Sequence, residues 1–240
     1  MSDAGAAVSD ADAAASDADA VARPIAVVFD LDGTLVDTMH SMLRAYADTI
    51  RALGGPAVTP DDIVATWHIG PTPVVLAHFL GRPAEPSDLD CFRRYANAAA
   101  SAARAFPGVA EMLDRLDEAD CRLGVFTSAT RHSADRVLAA SGLVGYFTVV
   151  VCGDEARSPK PAPDGLVLAC ASLGVPVSDS VYVGDADVGL RCADAAGAHG
   201  IHAGWGGSLR VDSPHAVART PGEVLELLTR LLGGKLGLAG

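Results

Sequence analysis

Two aspartates separated by a single leucine, Asp30 and Asp32, begin the segment Asp-Leu-Asp-Gly-Thr (residues 30–34). They follow the apolar run Ile-Ala-Val-Val-Phe (25–29), which predicts a short strand that is buried on both faces. Carboxylates at the end of such a strand have to be neutralised, paired or bound to a metal. Because alternate residues of an extended chain project to the same side, we expect both carboxylates to face one small volume.

A glycine follows the second aspartate, and Gly33 allows a tight turn whose N–H approaches a bound anion. Two oxygen donors beside such a turn suit Mg²⁺, which commonly combines few carboxylates with water and a substrate phosphate. One carboxylate would then attack phosphorus, while the other, partly protonated beside its neighbour, acts as acid and base. A Ca²⁺-type loop or a capped turn could have the same five residues. Other positions of the chain are therefore needed to distinguish these structures from a phosphoryl-transfer site.

Three more polar positions follow predicted strands. The hydroxyls of Thr127 and Ser128 can donate to a phosphate oxygen, although such a pair can also cap the next helix. Lys160 lies between prolines in a rigid loop, where its charge can stabilise a transferring phosphoryl group. Asp185 ends another strand and is a third acid placed to reach a metal. Because ligands of parallel sheets collect at the carboxyl ends of strands, the four strand ends together predict phosphoryl chemistry.

The elements that position these residues alternate between strand and helix patterns from residue 106 onward. Such alternation predicts an α/β fold, a parallel sheet with helices on both faces. After the first strand, we expect further strands at 122–127, 148–152, 180–184 and 198–202, and helices at 108–119, 131–141, 163–173, 187–196 and 221–232. The intervening residues show only helical patterns, at 37–54, from Thr59 onward, at 73–80 and at 87–104.

Three regions are predicted: an acidic tail (1–22), a catalytic core (23–36 and 106–240) and an all-helical insert (37–105). The tail holds five aspartates and no basic residue, and it is predicted to be disordered because it has too few large side chains to fold. It also lacks the pattern of a signal peptide. The net charge of −12 argues against nucleic acid and anionic membranes as partners, and no apolar stretch approaches a membrane span.

The five cysteines occur without a C-x-x-C spacing. An odd number of cysteines in a chain without a secretion signal favours a reducing, cytoplasmic location. We therefore expect buried thiols that act as small apolar side chains, rather than disulfides, zinc ligands or a thiol nucleophile.

The chain resembles hydrolases of the haloacid dehalogenase superfamily, in particular the phosphoglycolate phosphatase-like branch with a helical cap. The resemblance implies a Rossmann-like core, a mobile cap domain inserted after the first motif, and Mg²⁺-dependent hydrolysis of a small phosphomonoester through an aspartyl phosphate. The segments that carry it span most of residues 25–230: DLDGTLVDT (30–38), VFTSAT (125–130), SPKPAPDG (158–165), VYVGDADVGLRCADAAGA (181–198) and AGWG (203–206).

The resemblance also implies roles for single residues. Asp30 would be the nucleophile, and Asp32 would protonate the leaving group and then activate water. Mg²⁺ would be held by the Asp30 side chain, the main-chain carbonyl of Asp32 and Asp185. The phosphoryl group would be bound by side chains and by main-chain N–H groups of the first motif: Thr127, Ser128, Lys160 and the turn at Asp32 and Gly33.

One position departs from the pattern of the branch. Many of its phosphatases carry a second acid four residues after the first, where this chain has Gly189. A glycine there resembles β-phosphoglucomutases and some sugar phosphatases, but those have glutamate in place of Gly184. The metal would have one fewer carboxylate and one more water, and Asp187 is a candidate to compensate through a water molecule.

Single residues argue for or against the alternative functions. A strict dehalogenase works without metal and lacks the second acid, so Asp32 argues against it. A β-phosphoglucomutase-like phosphomutase usually has a histidine twelve residues after the nucleophile, where this chain has Met42. A phosphonate hydrolase needs a cap lysine, and residues 37–105 contain none. A catalytically silent regulatory module is the alternative of another class, supported only by Gly189.

The cap is expected to select the substrate, because selectivity depends on its closure over the site. An arginine in the closed cap would favour a small acidic phosphomonoester such as 2-phosphoglycolate, whereas a sugar phosphate would need neutral hydroxyl partners. Cap residues that can face it, or instead be exposed or packed, are Arg44, Trp67, His68, Thr72 and Arg82. The expected partner is thus a small phosphorylated metabolite, not nucleic acid or a membrane, and the protein is expected to be a monomer or homodimer.

Overall fold

The structure, a computed structural model, describes residues 24–66, 69–70, 72–206 and 216–232. The predicted acidic tail lies outside the described residues. The described strands form one parallel sheet in the order β3-β2-β1-β4-β5-β6, which is the strand order of a Rossmann fold. The strands are β1 (Ala26–Phe29), β2 (Arg122–Phe126), β3 (Val149–Val151), β4 (Ser180–Gly184), β5 (His199–Ala203) and β6 (Ala216–Ala218).

The helices of the described chain divide between an insert after β1 and the two faces of the sheet. The insert holds α1 (Met39–Ala52), α2 (Pro60–Thr66), α3 (Thr72–Leu80) and α4 (Pro86–Ser101). The sheet is covered by α5 (Val109–Glu118), α6 (Arg131–Ser141), α7 (Asp164–Leu173), α8 (Asp187–Ala196) and α9 (Val224–Leu232).

The central strand β1 separates two apolar clusters. Val27 and Phe29 face a cluster that includes side chains of α5, α6 and α9. Ala26 and Val28 face a second cluster formed largely by α7 and α8. All four residues of β1 are fully buried, because each face of this strand packs against helices.

The insert has an apolar cluster of its own, in which Leu43, Tyr46, Ile50, Ile63, Val75 and Leu76 are buried. Its helices begin at capping residues. Thr59 accepts a hydrogen bond from the amide of Asp62, whose carboxylate accepts in return from Thr59, so α2 begins at Pro60 as predicted. Glu85 and Asp88 form the equivalent capping box at the start of α4.

The two chain segments that join the insert to the sheet run side by side. The amide of Phe106 donates to the carbonyl of Leu35 (3.1 Å), and the amide of Asp37 donates to the carbonyl of Arg104 (3.0 Å). A second contact joins two helices: Arg136 of α6 donates to the carbonyl of Asn97 in α4 (2.9 Å). The insert therefore touches the core through paired backbone and through a helix–helix contact.

The fold class predicted from the sequence is confirmed: an α/β, Rossmann-like parallel sheet with helices on both faces and an inserted all-helical segment. Each predicted strand and helix is present within one to three residues of its expected ends. One strand was missed, β6, because its three residues carry no alternation that distinguishes them from a loop. The division into domains at residues 36 and 105 stays a prediction.

The five cysteines are all buried and unpaired with one another, as expected. Burial raises the pKa of Cys121, Cys152 and Cys192 to about 11 each, which keeps these thiols protonated and poorly nucleophilic. Within the part of the chain that the structure describes, none of the helices combines the length and apolar character that crossing a membrane requires.

Candidate active site

The predicted site residues follow neighbouring strands at one edge of the sheet. Phe29 is in register with Val125 of β2 and Val183 of β4, so the residues after these strands emerge together. The pairing continues past β1, because the amide of Asp30 donates to the carbonyl of Val183 (2.8 Å). The sheet itself therefore brings the first motif next to the residues after β2 and β4.

Asp30 is held at this edge by two contacts to its carboxylate. Its Oδ1 accepts a hydrogen bond from the amide of Leu31 (2.9 Å), and its Oδ2 lies 3.0 Å from Nζ of Lys160. The lysine side chain is 2% exposed and that of Asp30 is 13% exposed. A buried ammonium of this kind is stable only when it is paired, so Lys160 and Asp30 form a mutually dependent pair.

The ammonium of Lys160 has two further polar partners. It donates to the carbonyl of Phe126 (2.9 Å) and to the hydroxyl of Tyr182 (2.7 Å). It also lies 4.7 Å from the ring centre of Phe126 and 5.1 Å from that of Tyr182. Burial raises the pKa of Tyr182 well above its usual value, and the charge and hydrogen bond of Asp30 raise it further, so the phenol keeps its proton.

Asp32 differs from Asp30 in its surroundings. Burial raises the pKa of Asp32 above its usual value, and the negative charge of Asp30 adds to the increase. The opposing effects are smaller: hydrogen bonds from the hydroxyls of Thr38 and Thr127, and the positive charge of Lys160. The two carboxylates are thus unlike, one paired with a cation and the other biased towards its protonated form, as expected for a nucleophile beside an acid.

Asp185 reaches the first motif from the end of β4. Its Oδ1 accepts a hydrogen bond from the hydroxyl of Thr34 (3.2 Å). Its Oδ2 lies so close to the backbone of Gly33 that a Cβ there would be 2.4 Å away, and Gly33 has a φ of +78°. Glycine is therefore required at residue 33 by both the turn and the carboxylate above it.

The loop after β5 supports the same turn. Trp205 donates its indole N–H to the carbonyl of Thr34 (2.9 Å), and its ring packs against the apolar cluster of β1. Thr127 is buried, and its hydroxyl accepts from the amide of Ala129 (3.1 Å) in addition to its bond with Asp32. Ser128 is exposed, and its carbonyl leaves no space for a side chain at Gly153.

Asp187 is the acid predicted to compensate for Gly189. Within the described residues it makes no contact with Asp30, Asp32 or Asp185. The carboxylate of Asp187 lies at the start of α8, 3.9 Å from the guanidinium of Arg191, and is 38% exposed. Gly189 itself is buried against Tyr182, whose hydroxyl oxygen would lie 2.6 Å from a Cβ at residue 189.

The predicted insert residues are not joined to the core residues by any contact in the described chain. The side chain of Arg44 is 84% exposed and lies 3.9 Å from Asp48. Thr72 exchanges a hydrogen bond with the hydroxyl of Tyr46 (2.8 Å). Arg82 donates to both carboxylate oxygens of Asp88, so it has a structural partner. Trp67 and His68 lie outside the described residues.

Two features of the site were missed by the sequence reasoning. Thr38, which binds Asp32, lies inside the quoted motif DLDGTLVDT, but a threonine before a helix indicates only a cap. Tyr182 lies in an apolar strand, where an aromatic residue indicates only packing. Its hydroxyl contact with Lys160 depends on a loop 22 residues earlier in the chain.

The donor set at this edge consists of oxygen atoms. The described residues contain no group of three or more His, Cys, Asp or Glu side chains that would hold a metal ion by themselves. A magnesium site here would therefore combine the two carboxylates of Asp30 and Asp185 with the main-chain carbonyl of Asp32, water and substrate. The carboxylate of Asp185 directly above Gly33 is compatible with such a set, because it places a hard donor beside the turn that contains Asp32.

A Rossmann-like sheet with a buried aspartate–lysine pair at its carboxyl edge defines an α/β enzyme, and comparison with known proteins gives its family. The haloacid dehalogenase-like hydrolase family profile matches residues 27–203. Phosphoglycolate phosphatase of Xanthomonas campestris pv. campestris is 32% identical over 194 residues, covering 80% of this chain and 88% of that protein. N-acetylmuramic acid 6-phosphate phosphatase of Pseudomonas putida is 29% identical over 206 residues, covering 79% and 92%.

Solved structures agree with this assignment. CbbY from Rhodobacter sphaeroides, in complex with phosphate, has a TM-score of 0.71 and 25% identity, and the match covers 90% of this chain and 100% of that one. The chain belongs to the haloacid dehalogenase-like hydrolase family. The resemblance drawn from the sequence motifs is confirmed, and the predicted class of enzyme, a phosphoric monoester hydrolase, is borne out by the relatives.

Proposed function

We propose that the protein is a Mg²⁺-dependent phosphatase that transfers the phosphoryl group of a small phosphomonoester first to Asp30 and then to water. The observation that carries the proposal is the buried pair of Asp30 and Lys160 beside Asp32, whose pKa is raised. A carboxylate paired with a cation, next to one that holds its proton more tightly than usual, is the combination that nucleophilic attack with acid catalysis needs.

In the first step, a carboxylate oxygen of Asp30 attacks phosphorus and the bond to the leaving oxygen breaks. Asp32 donates its proton to that oxygen, so the product leaves as an alcohol. Lys160 lies 3.0 Å from Asp30 Oδ2 and is placed to stabilise the negative charge of the phosphoryl oxygens as they approach. Ser128 and the main-chain amide of Asp32 supply the remaining donors, since the hydroxyl of Thr127 is bonded to Asp32 and the amide of Gly33 donates to the carbonyl of Val36 (3.0 Å).

In the second step, Asp32 takes a proton from water as the water oxygen attacks phosphorus. The bond between Asp30 and phosphorus breaks, which releases inorganic phosphate and restores the protonated Asp32. The hydroxyls of Thr38 and Thr127 hold the carboxylate of Asp32 in one orientation for both transfers. The same side chain thus returns to its starting state after each turnover.

The metal site would be formed by Asp30, Asp185 and the carbonyl of Asp32. When bound, Mg²⁺ would neutralise charge on the phosphoryl oxygens and on the attacking carboxylate. To bind the metal, the protein would hold two carboxylates and one main-chain carbonyl beside the turn at Gly33. The close approach of Asp185 to Gly33 supports this arrangement. Asp187 is not included, since it faces Arg191.

The proposed substrate is a small acidic phosphomonoester. A cavity of about 330 Å³ between α1 and α4 is lined by His40, Ser41, Arg44, Asp48 and Tyr95 together with alanines of both helices. It lies against α1, the helix that begins directly after Thr38, and Thr38 binds Asp32. Arg44 would bind a carboxylate there.

Two of the named relatives support an acidic substrate. Phosphoglycolate and N-acetylmuramic acid 6-phosphate, the compounds in their names, both carry a carboxylate besides the phosphate. We propose a free metabolite of this kind, acted on in the cytoplasm by a monomer or homodimer. A sugar phosphate without a carboxylate is the competing substrate class.

The chemistry is tested with 4-nitrophenyl phosphate. The wild-type protein should release inorganic phosphate with Mg²⁺ and not after chelation, and Asp30→Asn should be inactive. The matched control is Asp90→Asn, since Asp90 is an exposed carboxylate of α4 that should not matter. Turnover by Asp30→Asn would rule out the aspartyl phosphate. A silent regulatory module would give no turnover at all. A mutase would be recognised with a sugar phosphate, which it would convert to an isomeric phosphoester without net release of inorganic phosphate.

The substrate class is tested by comparing 2-phosphoglycolate with 2-hydroxyethyl phosphate, which lacks the carboxylate. Wild-type kcat/KM should favour the acid, and Arg44→Met should reduce that preference about tenfold, the value of one charge-assisted contact. Arg51→Met is the control, because Arg51 pairs with the same Asp48 but does not line the cavity. An unchanged preference in Arg44→Met would exclude this arginine as the carboxylate ligand.

A further inference from the structure

Tyr182 makes a contact in this site that packing alone does not explain. The side chain is completely buried in β4, and its hydroxyl lies 2.7 Å from Nζ of Lys160. The same Nζ lies 3.0 Å from the carboxylate of Asp30, whose charge helps to raise the pKa of the phenol. The phenol oxygen therefore contacts the ammonium of the buried ion pair and lies near its carboxylate.

Two glycines surround the phenol ring. A Cβ at Gly184 would lie 2.6 Å from Cε1 of Tyr182, and a Cβ at Gly189 would lie 2.6 Å from the hydroxyl oxygen. The ring cannot swing away easily, since it is fully buried between the sheet and the helices α7 and α8. A side chain at residue 189 and the hydroxyl of Tyr182 thus compete for one volume beside Lys160.

We infer that Tyr182 is the positioning residue for Lys160 and Asp30, and that its hydroxyl occupies the volume which a side chain at residue 189 would otherwise fill. The inference rests on the proposed function. Gly189 is then not a loss from the metal site but the space that Tyr182 requires. Within the described residues, the other uncharged hydrogen-bond partner of Lys160 is a main-chain carbonyl, so the phenol fixes the direction of the ammonium towards the phosphoryl group.

This role has a consequence during turnover. When Asp30 carries the phosphoryl group, its carboxylate charge is lost and Lys160 has to stabilise phosphoryl oxygens instead. The hydroxyl of Tyr182 remains as a partner through this change, so its removal should lower kcat more than it raises KM.

The test is Tyr182→Phe, which keeps the ring and removes the hydroxyl. With 4-nitrophenyl phosphate and Mg²⁺, kcat should fall about 10- to 100-fold, as for the loss of a hydrogen bond to a charged group, with KM changed less than about threefold. The matched control is Tyr146→Phe, because that hydroxyl binds Asp114 on the outside of the core. It should leave kcat unchanged.

A double-mutant cycle separates positioning from general stability. In the Lys160→Met background, Tyr182→Phe should have less than about a threefold further effect, both on kcat and on the affinity for inorganic phosphate measured by calorimetry with Mg²⁺. A structural role would reduce both quantities equally in the two backgrounds and would overturn the inference. The phosphate affinity completes the cycle even if Lys160→Met turns over too slowly to measure.

Gly189→Ala tests whether the hydroxyl of Tyr182 needs the space that glycine leaves at residue 189. Alanine is the better helix former, so by propensity alone this change in α8 would be harmless. It should instead lower kcat and phosphate affinity, because the added methyl displaces the hydroxyl of Tyr182. Unchanged values would contradict the inference. If wild type turns over and Asp30→Asn does not, full activity in Tyr182→Phe refutes only this inference, whereas an inactive wild type refutes the proposed function.

Discussion

The carboxylate of Asp185 lies directly over the backbone of Gly33, although 151 residues separate Asp185 from its hydrogen-bond donor Thr34. This contact closes the site, because it joins the end of β4 to the turn that follows β1. A tight turn with positive φ at Gly33 and a carboxylate above it leave no space for any side chain. The relationship excludes any side chain at residue 33.

Gly33→Ala should remove Mg²⁺-dependent turnover and destabilise the protein by more than the strain of its φ alone. A non-glycine residue at positive φ costs about 1–3 kcal/mol, and here the Cβ would also push Asp185 away. The measurements are urea unfolding and a Mg²⁺ titration of turnover.

Gly54→Ala is the matched control for that change. Gly54 has the same φ of +78° but nothing within 4 Å of a Cβ, so only the backbone strain is present. It should lower stability by about 1 kcal/mol and leave turnover intact. Equal losses of activity in the two variants would show that the contact with Asp185 is not responsible.

Asp32→Asn should reduce turnover of an alkyl phosphate about 10²–10⁴-fold, since an amide cannot transfer a proton. The effect on 4-nitrophenyl phosphate should be smaller for the first step, because its leaving group needs no proton. Steady-state kinetics with both substrates measure the difference. The same loss with both would indicate that Asp32 acts through the second step or through structure.

The raised pKa of Asp32 gives the same variant a predictable effect on stability. A carboxyl whose pKa is raised by folding binds its proton more tightly in the folded state, so its ionisation above that pKa destabilises the fold. In EDTA at pH 7, Asp32→Asn should therefore unfold at a higher temperature than wild type. The difference should shrink as the pH falls towards 3.8, the ordinary value. Thermal melts of both proteins between pH 7 and pH 3.8 test this prediction. An Asp32→Asn variant that is less stable than wild type at pH 7 would contradict a raised pKa for Asp32.

Strand ends that carry polar residues could be recognised from the sequence, and they gave most of the site. Asp30, Asp32 and Asp185 each interrupt or follow an apolar run, which makes a buried charge conspicuous. Their proximity follows from the register of a parallel sheet, which is set by the alternation of strands and helices. Lys160 was recognised instead by the prolines on both sides of it.

Contacts that depend on side-chain direction could not be predicted. The phenol of Tyr182 reaches Lys160 only because two glycines leave space for its ring. Arg82 was a candidate for the substrate, but it binds the buried carboxylate of Asp88 within the insert. An arginine in a loop looks the same in sequence in either case, since its partner lies outside the local pattern.

Asp185→Asn and Asp187→Asn should separate the two acids after β4. Mg²⁺ should raise the melting temperature of wild type and of Asp187→Asn by mass action, and should fail to stabilise Asp185→Asn. The reason is geometric, because Asp185 lies over the first motif while Asp187 faces Arg191. A Mg²⁺ requirement that rises in Asp187→Asn would show that this acid supports the metal after all.

Arg136 joins the core to the insert, and its removal should loosen the insert. The guanidinium donates from α6 to the carbonyl of Asn97 and to the hydroxyl of Ser101 near the end of α4. Arg136→Met keeps most of the apolar stem and removes both bonds. Amide hydrogen exchange should become faster at Asp37 and Phe106, whose bonds pair the two connecting segments.

The comparison for this change is Arg93→Met, because Arg93 pairs only with Asp90 of its own helix. That variant should leave the exchange at residues 37 and 106 as in wild type. If a loosened insert closes less tightly over the substrate, Arg136→Met should also raise KM with little change in kcat, because the core pair of Asp30 and Lys160 is untouched. Equal exchange rates in both variants would show that the paired backbone segments, and not the contact between α4 and α6, hold the insert in place.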